Sequence, residues 1–94
     1  MNKTELTDEL AMQAGLSKAD AQRAVDAMFG DEGLIVKVLR RGDKVQITGF
    51  GTFVARKRAA RTGRDPRTGG TIQIAAATVP AFKVGQAFKD AVNR

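Results

Sequence analysis

The sequence contains no cysteine and no histidine. Without thiols there is no disulfide framework and no thiolate zinc site, and without imidazole the usual general base and commonest metal ligand are missing. An imidazole-based enzyme is excluded. Proline occurs only at Pro66 and Pro80, and the five aromatic residues are all phenylalanine. No apolar run approaches the roughly 18 residues that a membrane span needs, and the opening MNKTELTDEL has no signal-peptide core, so a soluble, cytoplasmic protein is expected. At 94 residues the chain reads as one domain, near the lower size limit for unaided folding.

What the sequence does have is concentrated charge. Between Val54 and Ile74 six basic residues (Arg56, Lys57, Arg58, Arg61, Arg64 and Arg67) stand against Asp65 alone, a local charge of +5. The other ten basic and nine acidic residues leave only +1. A nearly neutral protein with one strongly basic segment points to a polyanion, with nucleic acid ahead of an anionic membrane because the segment has no apolar helix face. Elsewhere, Lys18, Lys37, Arg40 and Arg41 lie among acidic residues and read as a mixed solvated surface.

The periodicity supplies a scaffold for that segment. Asn2 and Glu5 form a capping-box pair ahead of Leu6, Leu10 and Ala14, with Gly15 as the stop. Ser17 and Asp20 open a second helix whose apolar face carries Ala21, Ala24, Val25, Met28 and Phe29. The glycines of GDEG, Gly30 to Gly33, predict a break, after which Ile35, Val36, Val38 and Leu39 resume a helical pattern up to Gly42. From Lys44 the period is two: Val45 and Ile47 alternate with polar neighbours, GFG (49–51) turns the chain, and a strand from Thr52 runs into the basic segment. Residues 71–79, TIQIAAATV, form its antiparallel partner. Pro80 is expected to end strand pairing, and Val84, Phe88 and Val92 mark a closing helix.

The expected fold is therefore α+β, a helical base with a three-stranded antiparallel sheet and a long β-ribbon arm. Its divisions are a helical base over 1–43, sheet and arm over 44–80, and a C-terminal helix over 81–94. With the arm projecting, only about seventy residues remain for a core, which rarely supplies more than ~3–5 kcal/mol. Disulfides and the usual metal sites being unavailable, an obligate dimer is expected, with Phe50, Phe53 and Phe82 as its shared aromatic core.

The arm has a physical logic. Arginines at 58, 61, 64 and 67 bring positive charge to several edges of a ribbon, where each can neutralise a phosphate or enter a minor groove. Pro66 at the tip is compact, apolar and fixed in backbone, suited to wedge between base pairs. Three segments here, GFGTF (49–53), RAARTGRDPRTG (58–69) and AAATVPAFKVG (75–85), closely resemble the bacterial histone-like HU and integration host factor family. The likeness spans nearly the whole chain, and wedging into the minor groove is a known habit of that family. It implies an intertwined dimer whose two arms embrace and bend duplex DNA. Carried over by motif, the DNA contacts are Arg56, Arg58, Arg61, Arg64, Arg67 and Thr68, Pro66 is the wedge, and Lys3 and Lys89 lie toward phosphates on the body. The chain departs from the family pattern at Asp65, where asparagine is usual, at Gln86, where lysine is common, and around GDEG, where it is longer.

The function implied is a histone-like architectural protein that binds double-stranded DNA largely without sequence specificity, bends it and helps compact the nucleoid. A site-preferring regulator like integration host factor, or an RNA-binding module, are the alternatives. No cofactor, metal, membrane or small-molecule substrate is expected. Whether the dimer partner is a second copy or a paralogue stays open. Other motifs fail on inspection. GFGTFV has Val54 where a nucleotide fingerprint needs glycine, and Thr48 before it and Thr52 within it depart from the RNA-recognition signature. GRDPRTGG lacks the end of a P-loop, and the acidic pairs Asp8–Glu9 and Asp31–Glu32 have solvation or capping roles that leave no enzyme reading.

Overall fold

A computed structural model describes all residues, 1–94. The element order is α1 (Lys3–Ala14), α2 (Lys18–Phe29), α3 (Leu34–Arg40), β1 (Val45–Ile47), β2 (Gly51–Arg58), β3 (Arg61–Arg64), β4 (Thr71–Ile74), β5 (Ala77–Val84) and α4 (Gln86–Val92). The α+β class is as expected. The chain divides into two compact units, Met1–Arg41 and Gly42–Arg94.

In the first unit the caps are made as their residue types dictate. Asn2 Oδ1 accepts the Glu5 N–H at 2.8 Å, Ser17 Oγ accepts that of Asp20 at 3.1 Å, and Gly15 ends α1 in the left-handed conformation. The buried side chains are Thr7, Ala11, Ala21, Val25 and Leu39, and the two alanines leave room for close helix approach. Thr7 satisfies its hydroxyl by donating to the Lys3 carbonyl at 2.8 Å.

GDEG breaks the helix, as its glycines predict. Gly30 closes α2 by donating to Asp26 O, and Gly33 donates back to Gly30 O at 2.8 Å before serving as the N-cap of α3. A Cβ on buried Gly33 would lie 2.9 Å from Gly30 N and 3.0 Å from Ala27 O, so the turn closes too tightly for a side chain. Glu32 in the turn takes both carboxylate oxygens to Arg40, at 3.1 and 3.2 Å, an exposed pair of small energetic weight.

The second unit is built on an antiparallel sheet in the order β1-β2-β5, with β3 and β4 forming a separate two-stranded sheet. β1 turns into β2 through Thr48–Phe50, where Gly49 adopts φ 82°. Two strand expectations need correction. Pro80 does not end pairing: β5 continues to Val84, with Pro80 opposite Ala55, and the closing helix starts at Gln86 instead of 81. In this chain β5 is an edge strand with a single partner, so alternate residues direct their N–H away from the ladder and proline loses nothing at such a position. The expected strand over 71–79 is in fact two, interrupted at Ala75 and Ala76.

No hydrophobic side chain of the second unit is fully buried. Its phenylalanines instead form an open cluster, with Phe53 directly opposite Phe82 in the ladder and ring centroids 4.7 Å apart. Phe50 stacks on Phe88 at 4.4 Å and 11°. Gly51 makes room for this: a Cβ there would come within 2.7 Å of Phe82 Cε1 and 2.6 Å of the Lys83 carbonyl. Helix α4 is fastened to the β1–β2 turn, because Phe88 N–H donates to Gly49 O at 2.9 Å and Gly85 N–H donates to Phe50 O at 2.8 Å. Donors that a helix start leaves unpaired are thereby satisfied.

Candidate nucleic-acid interface

Five of the six basic residues stand on the outgoing strand of the ribbon, and the sixth, Arg67, lies in its tip. Arg56, Lys57 and Arg58 occupy the end of β2, paired with Val79, Thr78 and Ala77 of β5. Arg61 and Arg64 bound β3, paired with Ile74 and Thr71 of β4. The returning strand over 71–79 carries no charged residue at all. Every arm arginine is exposed, so the ribbon presents concentrated positive charge to solvent along one strand.

Between the two ladders lie Ala59 and Ala60 on one side and Ala75 and Ala76 on the other, none of them in a strand. The arm proper begins beyond them.

The tip runs from Asp65 to Gly70 and is closed by two backbone bonds of 2.7 Å, Asp65 N–H to Gly70 O and Gly69 N–H to Asp65 O. Gly69 supplies the left-handed residue, with φ 73°. Asp65 Oδ1 accepts the Arg67 N–H at 2.9 Å, an Asx-type turn enclosing Pro66. Thr68 Oγ1 accepts the Gly70 N–H at 3.2 Å. The Asp65 carboxylate is only 20% exposed, whereas the Arg67 side chain is 90% exposed with Nε 3.8 Å from Oδ1. The tip thus turns its one negative group inward and offers Pro66 and Arg67 outward.

Neither Lys3 nor Lys89 belongs to the arm segment. Lys3 belongs to the first unit, where its Nζ lies 2.7 Å from Asp26 Oδ1 in an exposed ion pair. Lys89 occupies the exposed last turn of α4. Gln86 is engaged within the same helix, donating from Nε2 to Asp90 Oδ1 at 2.8 Å.

Sequence reasoning missed two participants. Asp65 reads as a misplaced negative charge, although Asp followed by Pro is a turn-initiation signal. Phe88 reads as one apolar position of a short helix, although its ring completes the cluster of Phe50, Phe53 and Phe82.

The family model described as bacterial DNA-binding protein matches residues 1–93. The chain belongs to this bacterial DNA-binding protein family. Among its relatives, the DNA-binding protein HU of Geobacillus stearothermophilus is 58% identical over 93 residues, covering 99% of this chain and all of that protein. HU-beta of Escherichia coli K12 is 53% identical over the same coverage. In structure, the chain of an Anabaena HU–DNA cocrystal matches with a TM-score of 0.85 at 40% identity, covering 98% of this chain and 97% of that one. HU from Thermotoga maritima matches with a TM-score of 0.66 at 34% identity, over 98% of each chain. The likeness to bacterial DNA-binding proteins of the HU type thus extends from the first helix through the arm to α4.

Proposed function

We propose that this protein is a histone-like architectural DNA-binding protein that grips duplex DNA largely without regard to sequence and bends it. The observation that carries the reading is the ribbon: five basic residues along one strand, leading to a tip where Arg67 and Pro66 are exposed and Pro66 is held by the Asp65 turn. HU relatives and the Anabaena HU–DNA complex support it. Arg56, Arg58, Arg61, Arg64 and Arg67 are the phosphate and minor-groove contacts, Thr68 steadies the tip, and Lys3 and Lys89 add contacts from the body. Pro66 unstacks a base step, and the unstacking cost of a few kcal/mol is offset by the surface that bent DNA brings into contact. The setting is the bacterial nucleoid in the cytoplasm, which this activity helps to compact.

The working unit is a dimer. Phe50 and Phe82 remain 42% and 40% exposed in the single chain, beside Ile47 and Val84, and such an apolar face needs a partner. Phe50, Phe53 and Phe82, with Phe88, form its core. A second copy of the same chain is the simplest partner, since symmetric homodimers predominate among oligomers.

Fluorescence anisotropy on matched intact and nicked duplexes across a salt series tests the reading. A nick removes stiffness, so a bender binds it markedly tighter, and phosphate contacts make both affinities fall with salt at about −0.9 per phosphate neutralised in a log–log plot. Equal affinity for the two duplexes would refute bending. A flat salt response would refute phosphate gripping. Pro66→Ala reduces the bend seen by energy transfer more than it reduces charge-driven affinity.

A further inference from the structure

We infer that the arm reads the floor of the minor groove with one of its two faces, formed by Thr62, Arg64, Thr71 and Gln73, and that Gln73 gives it a preference for A·T over G·C pairs. The inference rests on the DNA-binding reading above and adds the side chains that discriminate.

Register fixes the faces. Thr62 lies opposite Gln73 and Arg64 opposite Thr71, while Arg61 lies opposite Ile74 and Gly63 opposite Ile72. Opposed residues project from the same side of a ladder and the side alternates along each strand. An independent contact agrees: a Cβ on Gly63 would come within 2.8 Å of Ile74 Cδ1, with Ile72 Cγ1 at 3.7 Å, so both isoleucines lean over Gly63. The arm is therefore two-sided. One side is apolar apart from Arg61, and the other carries two hydroxyls, an amide and a guanidinium. All four polar residues are exposed, and none of these side chains is held by a hydrogen bond or ion pair within the chain.

The groove floor decides between the faces. At A·T pairs it offers only the acceptors N3 and O2, and guanine adds an amino donor. Ile72 and Ile74 laid against that floor would strip water from the acceptors and return nothing. The opposite face supplies donors in a row, and Arg64, which has no acceptor, makes the set donor-rich. Within it the hydroxyls of Thr62 and Thr71 are short, and the charge of Arg64 suits any phosphate. Gln73 is the one long uncharged side chain, a residue type that reads the A·T-against-G·C pattern in minor grooves.

The test is competition binding of the full-length protein among duplexes of equal length whose central segment is A·T, G·C or inosine·C. Inosine lacks the guanine 2-amino group, so it gives a G·C-like pair an A·T-like groove floor. Wild type is expected to favour A·T and inosine·C over G·C. Gln73→Leu is expected to shrink both preferences by about threefold to tenfold, the worth of one net hydrogen bond, without changing the salt slope. Ile72→Ala, on the other face, leaves both preferences intact. Equal wild-type affinity for G·C and inosine·C overturns the inference, and this comparison requires no variant to fold. Retention of the inosine·C preference by Gln73→Leu also overturns it, because groove flexibility would then account for the difference. A steep salt response without base discrimination sinks only this inference, whereas a flat salt response sinks the DNA-binding reading itself.

Discussion

The Asp65 carboxylate accepts the backbone N–H of Arg67 at 2.9 Å, closing a turn around Pro66. The residue that seems least suited to a polyanion-binding arm is thus the one that shapes its tip. Two substitutions separate its charge from its geometry. Asp65→Asn keeps an oxygen to accept the N–H and removes the charge, so DNA affinity rises by roughly twofold to fivefold at low salt, on the ~0.2–1 kcal/mol scale of exposed charge pairs. Asp65→Ala removes both, and the bend angle measured by energy transfer falls as Pro66 loses its fixed setting.

Arg61 and Arg64 project from opposite faces of the arm. If each neutralises one phosphate, Arg61→Ala and Arg64→Ala each lessen the salt slope by about 0.9, and the double variant by about 1.8. Anisotropy titrations at several salt concentrations give the slopes directly. An unchanged slope in either variant removes that residue from the phosphate contacts.

Lys3 is engaged by Asp26 at 2.7 Å in the first unit, so any phosphate it meets competes with a carboxylate already in place. Asp26→Asn frees the ammonium group. DNA binding at low salt strengthens by about twofold to fivefold, at little cost in stability for so exposed a pair. The gain vanishes when Lys3→Ala is added, and a double-mutant cycle on binding free energies measures the coupling.

The phenylalanine cluster predicts a concentration-dependent melting temperature. A folded state held by a partner gains stability by mass action, so the thermal transition rises with protein concentration. Phe82→Ala loses stability on the scale of ~3–5 kcal/mol seen for buried aromatic truncations, provided the dimer buries the ring. Calorimetry over a wide concentration range, with sedimentation at each end, checks both. A melting point independent of concentration would leave the open aromatic face unexplained.

Where local chemistry determines structure, the fold was legible in advance. Asn2 with Glu5 and Ser17 with Asp20 announced two helix starts, and both caps are made. The alternation of Val45 and Ile47 announced β1, and the glycines of GDEG announced the break before α3. What failed depended on neighbours. Pro80 stops a strand only if its missing donor is needed, and that is decided by the single partner of β5. Ala75 and Ala76 carry no side-chain signal by which a gap in pairing is read. At the interface, the basic residues were conspicuous by charge, whereas Asp65 gains its role from a backbone N–H two positions away. The two faces of the arm emerge only once Gly63 is seen opposite Ile72.

The four alanines at 59, 60, 75 and 76 divide one ribbon into two separately bonded ladders. A continuous ladder would behave as a single beam, passing any torque at the tip into the sheet that carries the phenylalanines. The interruption removes the cross-strand bonds that would carry such a torque, at residues with almost no side chains to rearrange. Were the arms to take different settings on duplexes of different curvature, the equilibrium bend would be a compromise in which the elasticity of the duplex carries as much weight as the shape of the protein.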